Sequence, residues 1–103
     1  MELEYGALEA IATLLEDGRD CRASLVRDAL FGPKQSLEGF LSSNELWGGA
    51  GSIADEALVD QRELRHTLES WLVLLGREQL ARGTANERTR MWVSAFEQWA
   101  YRR

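Results

Sequence analysis

Leu46-Trp47-Gly48-Gly49-Ala50-Gly51-Ser52-Ile53-Ala54-Asp55 places three glycines in four positions between two helical patterns, and its reading decides the fold. Glycine adopts positive φ at little steric cost and lets another backbone come close. Two readings follow. In the first, the run is a tight elbow: Trp47 packs inward, Ser52 caps a new helix, and Asp55, three residues on, is its capping-box partner. In the second, N–H groups at the helix start hold an anion or a partner, and Trp47, Gly48, Gly49, Gly51, Ser52 and Asp55 are the binding residues. The residues beyond the glycines favour the elbow. Asp55 and Glu56 put two negative charges into the first helical turn. They complement the helix dipole and would repel a phosphate. No Gly-Lys-Ser/Thr ends the run and no strand pattern precedes it, so it is not a P-loop. No Gly-x-Ser-x-Gly surrounds Ser52, so it is not a hydrolase nucleophile.

Outward from the elbow, helical spacing runs nearly everywhere and no strand alternation is visible. Glu2 to Asp17 places Leu3, Ala7, Leu8, Ile11, Leu14 and Leu15 on one face, with Gly18 as its stop. Asp20 to Phe31 carries Cys21, Leu25, Val26, Ala29 and Leu30 on a stripe, capped by Asp20 and ended by Gly32-Pro33. Ser36 caps a short helix that buries Leu37, Phe40 and Leu41, and Asn44 is its left-handed stop. After the elbow come a short helix with Ile53, Ala57 and Leu58, then a capping box at Asp60-Gln61-Arg62-Glu63, where the helix either restarts or runs straight through. A long helix follows from Glu63 to Arg82, closed by Gly83. Its segment Trp71-Leu72-Val73-Leu74-Leu75 is apolar on every side, which makes it central or covered by a partner. Glu87 to Arg102 is the last helix, with Met91, Trp92, Ala95, Phe96 and Trp99 on its inner face. These segments predict an all-α compact bundle of four to six helices with short connections, one domain over residues 1–103.

The composition narrows the function. At 103 residues with 45% apolar side chains, the chain is long enough for one core. A single cysteine makes neither an internal disulfide nor a thiolate metal cage. The acidic start and the absence of a long apolar run predict a cytoplasmic protein with no signal peptide and no membrane span. Charge is uneven. Residues 1–60 carry twelve acids and four bases, a net −8, and residues 61–103 five acids and eight bases, a net +3. An acidic half disfavours nucleic acid and favours a basic protein partner.

Groups for catalysis are sparse. Glu63 and His66 have the i, i+3 spacing of di-iron bundles, but His66 is the one histidine and that site needs the motif twice. It reads instead as a solvated side chain. Cys21 shares a stripe with Leu25 and reads as a buried small hydrophobe. Asp55, Glu56 and Asp60 fit capping roles better than acid–base or Mg²⁺ roles. Arg88, Arg90, Arg102 and Arg103 decorate a helix whose tryptophans point inward, a solvated face more than a single-strand nucleic-acid platform. No catalytic residues, metal or cofactor are expected.

Gly48-Gly49-Ala50-Gly51-Ser52-Ile53-Ala54-Asp55, preceded by Trp47 and followed by Leu58, resembles a group of short uncharacterised bacterial helical proteins in which Gly-Gly-x-Gly-Ser-x-x-Asp follows an aromatic residue. The resemblance implies a small helical bacterial domain and no activity. Size and acidity point to a non-catalytic protein-binding module, such as an immunity- or antitoxin-like inhibitor that covers a basic surface with its acidic half. The alternatives are a homodimer or larger homo-oligomeric adaptor, and an anion or nucleotide site at Gly48–Ser52.

Overall fold

A computed structural model describes residues 2–102. The protein is all-α, and no strand occurs among the described residues. Five longer helices, α1 (Glu2–Asp17), α2 (Ala23–Phe31), α3 (Lys34–Leu41), α6 (Arg62–Arg82) and α7 (Glu87–Arg102), are joined by two single turns, α4 (Asn44–Trp47) and α5 (Ile53–Glu56).

The long α6 is the spine. Leu68, Leu72 and Leu75 recur at i, i+4, i+7 and are buried, and the same line continues back to Arg65 and on to Gln79. The two flanks of α6 take different neighbours. On one, Leu64 meets Gly18 and Arg82 pairs with Glu4 of α1. On the other, Gly76 meets Val93 and Arg77 pairs with Glu97 of α7. Gly76 sets how closely α7 approaches, because a Cβ there would stand 2.2 Å from Val93 Cγ2 and 3.3 Å from Trp47 Cη2. The apolar run splits accordingly: Leu72 and Leu75 are buried, Trp71 and Val73 half-buried, and Leu74 exposed. Helix α2 packs on α1, α3 packs on α2, and α4 joins α3 to α7.

Several local expectations are corrected. In α1 the buried line is Glu4, Ala7, Leu8, Ile11, Ala12 and Leu15, and Leu3 is exposed. Gly18 is not the left-handed residue; Arg19 is, at φ 55°, in a Schellman closure where Asp20 N–H donates to Leu15 O and Arg19 N–H to Glu16 O. Gly18 packs under the Leu58 side chain, which a Cβ there would push aside. Cys21 and Leu25 face solvent, since α2 begins only at Ala23 and presents Ala23, Val26, Ala29 and Leu30 inward. Pro33, not Ser36, is the N-cap residue of α3. Asn44 opens α4 instead of ending α3, because Ser43 Oγ caps the amide of Leu46. The N-terminus of α6 has no side-chain cap at Gln61. In α7, Thr89, Val93 and Phe96 are the buried residues, and Met91 and Trp99 stay outside. Gly83 does close α6, at φ 73°.

An ion pair ties α1 to α2. Arg27 donates from Nε and Nη2 to the Glu16 carboxylate at 2.9 and 2.7 Å. This hydrogen bonding holds the Glu16 carboxyl below its ordinary value. A carboxyl depressed in the folded state stabilises above its unfolded pKa and loses that contribution as pH falls through the folded value. Glu16→Gln is therefore expected to flatten the acid limb of a Tm-against-pH curve below about pH 4.5, the unfolded glutamate range. An unchanged slope in that window would remove the pair from the acid response.

Candidate functional site

The elbow is built from the backbone outward. Asn44 O accepts from Gly48 N–H at 2.9 Å, ending α4, and Ser52 N–H donates to Gly49 O at 3.0 Å across a four-residue turn. Gly51, third in that turn, has φ +87°, the left-handed geometry a type II turn requires at that position. Gly48 serves a different need. A Cβ there would fall 2.3 Å from Asn44 O and 2.8 Å from Asn44 Cα, so the α4 backbone leaves no room. Gly49 has negative or extended φ and open space where a Cβ would sit.

The elbow presents carbonyls, and donors surround them. Gly48 O accepts from Ser52 Oγ at 2.8 Å and from Trp92 Nε1 at 3.2 Å. Gly51 O accepts from Arg22 Nε at 2.9 Å. Ser52 caps α5 as its position suggests, its Oγ accepting from Asp55 N–H at 3.1 Å. Behind the elbow, Arg65 reaches from α6 to donate to the carbonyls of Ile53, Ala54 and Ala57, the last at 2.8 Å. Its Nε meets Glu69 at 2.9 Å, and its guanidinium lies 5.5 Å from the Phe96 ring centroid. One buried cation thus collects the carbonyls of Ala54 and Ala57, which no further helical turn satisfies, and shares that of Ile53 with Ala57 N–H.

From this platform the loop of residues 57–61 projects. Leu58 holds φ +59°, uncommon for a leucine. Its N–H donates to Asp20 Oδ2 at 3.2 Å, and Gln61 Nε2 donates to Gly18 O at 2.7 Å. Arg22 bridges Asp20 and Glu56. The loop is therefore clipped to the end of α1, and it displays Val59, 54% exposed, among the exposed side chains of Glu56 and Asp60, with Asp17 at the end of α1 also exposed.

Of the six residues the sequence singles out, Trp47, Gly48 and Ser52 are buried, Gly49 and Gly51 are exposed, and Asp55 is half-buried. They belong to one elbow, and its outer edge is the backbone of residues 49–51. Sequence reasoning missed Arg65, Glu69 and Gln79. Gln79, fully buried, accepts from Trp47 Nε1 at 3.0 Å and donates to Leu41 O at 2.8 Å. The signal was present: Arg65 and Gln79 fall seven residues before and after Leu72, on its stripe.

Charge pairs also line a cleft away from the elbow. A cleft of about 610 Å³ between α1, α3 and the end of α6 holds Glu4 with Arg82 and Lys34 with Glu38. His66 is half-buried beside Glu69, Ser70 and Glu97 in a groove of about 280 Å³ between α6 and α7. No group of three potential metal ligands occurs among the described residues, and none of their helices is long and apolar enough to cross a membrane. Comparison with known proteins gives no match: no family model, no curated protein and no solved structure matches the chain.

Proposed function

We propose that this chain is a small, non-catalytic cytoplasmic protein-binding module whose partner presents a basic surface, in the manner of an immunity protein or antitoxin. The observation that carries the reading is Val59, held 54% exposed on a loop pinned by Asp20 and Gln61 and set beside Glu56 and Asp60. A pinned loop loses little conformational freedom on binding, which is where preorganisation contributes affinity. An apolar residue flanked by Glu56 and Asp60 suits a partner with an apolar pocket edged by lysine or arginine, and the charge of the N-terminal half would speed encounter. The exposed backbone of residues 49–51 is linked to Glu56 through Arg22, which donates to Gly51 O and to the Glu56 carboxylate. The N–H groups of Gly48, Ser52 and Asp55, already donated to Asn44 O, Gly49 O and Ser52 Oγ, favour a structural role for the glycines over an anion or nucleotide site. The resemblance of the elbow to short bacterial proteins fits a bacterial module of this kind.

The test is capture from the native lysate at low and moderate salt, with wild type beside Val59→Asp and Glu56→Lys/Asp60→Lys. The expected result is a basic protein retained by wild type and lost by both variants. No retained protein, or one retained equally by all three, would overturn the reading.

A further inference from the structure

Two exposed helix faces match each other residue for residue. On α1, Glu2, Tyr5, Glu9, Thr13 and Glu16 recur at steps of 3, 4, 4 and 3, which places them on one lateral face. All five are exposed, Tyr5 by 41%. On α7, Arg88, Met91, Ala95, Trp99 and Arg102 recur at the same steps. Met91 is 46% and Trp99 41% exposed, while Arg88 and Arg102 are exposed and make no ion pair with a described residue. The α1 face carries a carboxylate at its centre and at both ends, that of Glu16 being shared with Arg27 of its own chain. The α7 face is apolar at its centre and basic at both ends.

We propose that the α7 face docks antiparallel on the α1 face of a second copy of this chain. In that register Arg102 meets Glu2, Trp99 meets Tyr5, Ala95 meets Glu9, Met91 meets Thr13, and Arg88 meets Glu16. Each exposed arginine faces a carboxylate. The Trp99 ring comes against Tyr5 at the edge of a groove of about 460 Å³ that Leu30 and Leu37 also line. Ala95, opposite Glu9, lets the two helices approach at the middle of the contact. Pairing α7 with its own copy would set Arg88 against Arg102 when antiparallel, or each arginine against itself when parallel, and like charges so placed repel.

Because α1 and α7 lie on opposite flanks of α6, a molecule uses one face toward each neighbour. The contact is heterologous, and unless the rotation closes a ring it extends head to tail. A single helix-on-helix contact sits at the low end of specific interface sizes, so the assembly is weak and salt-sensitive. It uses a different surface from the loop at Val59.

Sedimentation equilibrium tests it. At low salt the weight-average mass is expected to rise with concentration above the 11.7 kDa of one chain. It should return to one chain near 1 M salt, where screening acts within about 3 Å. Trp99→Glu alone and Glu2→Arg/Glu9→Arg alone are each expected to remain at one chain. Mixed in equal amounts, they should form a dimer and stop there, since one good face remains on each. A melting curve verifies that each variant is folded; Arg102→Glu replaces Trp99→Glu if the latter is not. Two results would overturn the proposal: a mass of one chain at every concentration, or wild-type association by Glu2→Arg/Glu9→Arg, which would assign the contact to α7 alone.

Discussion

Replacing Arg65 with methionine is expected to lower the unfolding free energy by about 3–5 kcal/mol, the range for breaking a buried pair by removing one partner. The side chain is nearly fully buried, and methionine fills much of its volume, so packing loss is a minor part of the effect. The major part is polar. The carbonyls of Ala54 and Ala57 lose their side-chain donor, that of Ile53 keeps only Ala57 N–H, and the Glu69 carboxylate, also buried, loses its guanidinium partner. Adding Glu69→Leu should recover part of the loss by removing the buried charge, and not all of it, because the three carbonyls still lack Arg65. Equilibrium urea denaturation of the single and double variants measures both steps. A single-variant loss below about 1 kcal/mol, the scale of an exposed pair, would mean that Arg65 does not hold the elbow.

The second large effect is at Trp47. Trp47→Ala is expected to cost about 3–5 kcal/mol, as for a fully buried large aromatic. The tryptophan fills the space between the elbow and Gly76 and links three segments through one polar chain, from its Nε1–H to Gln79 and from Gln79 to Leu41 O. Trp47→Phe separates the two contributions. It keeps most of the volume and leaves Gln79 Oε1 buried without that donor, a change worth about 1–3 kcal/mol. The other tryptophans should be less costly to remove: Trp71 and Trp92 are half-buried and Trp99 is exposed. If Trp99→Ala proved as destabilising as Trp47→Ala in the same denaturation series, this assignment of the core would fail.

Helix positions were legible because their determinants are local. Leu8, Ile11 and Leu15, or Leu68, Leu72 and Leu75, announce a buried face by spacing alone, and Gly83 and Ser52 act where their chemistry places them. What spacing does not fix is the rotation of a helix whose apolar arc is broad. In α7 the arc from Met91 to Trp99 is wider than the surface α6 offers. Val93 and Phe96 took the inner line because Gly76 makes its closest approach there. Buried polar residues were illegible for a related reason. Arg65, Glu69 and Gln79 look like the solvated side of a helix until the partners that satisfy them are in place: carbonyls 8 to 38 residues away in the chain for Arg65 and Gln79, and Arg65 itself for Glu69. At the elbow the sequence marks three glycines alike. Only tertiary geometry separates them, since Gly48 answers to the α4 backbone, Gly51 to a left-handed turn, and Gly49 to neither.

That separation is the most direct test, made by denaturing three single alanine variants side by side. Gly48→Ala is expected to lose about 1–3 kcal/mol to overpacking against the Asn44 backbone. Gly51→Ala should lose about 1–2 kcal/mol to its left-handed φ. Gly49→Ala should be neutral or stabilise by up to about 1 kcal/mol, through a less disordered unfolded chain. Equal losses at all three positions, or a Gly48→Ala variant as stable as wild type, would contradict the account of the elbow as a backbone bend closed against α4.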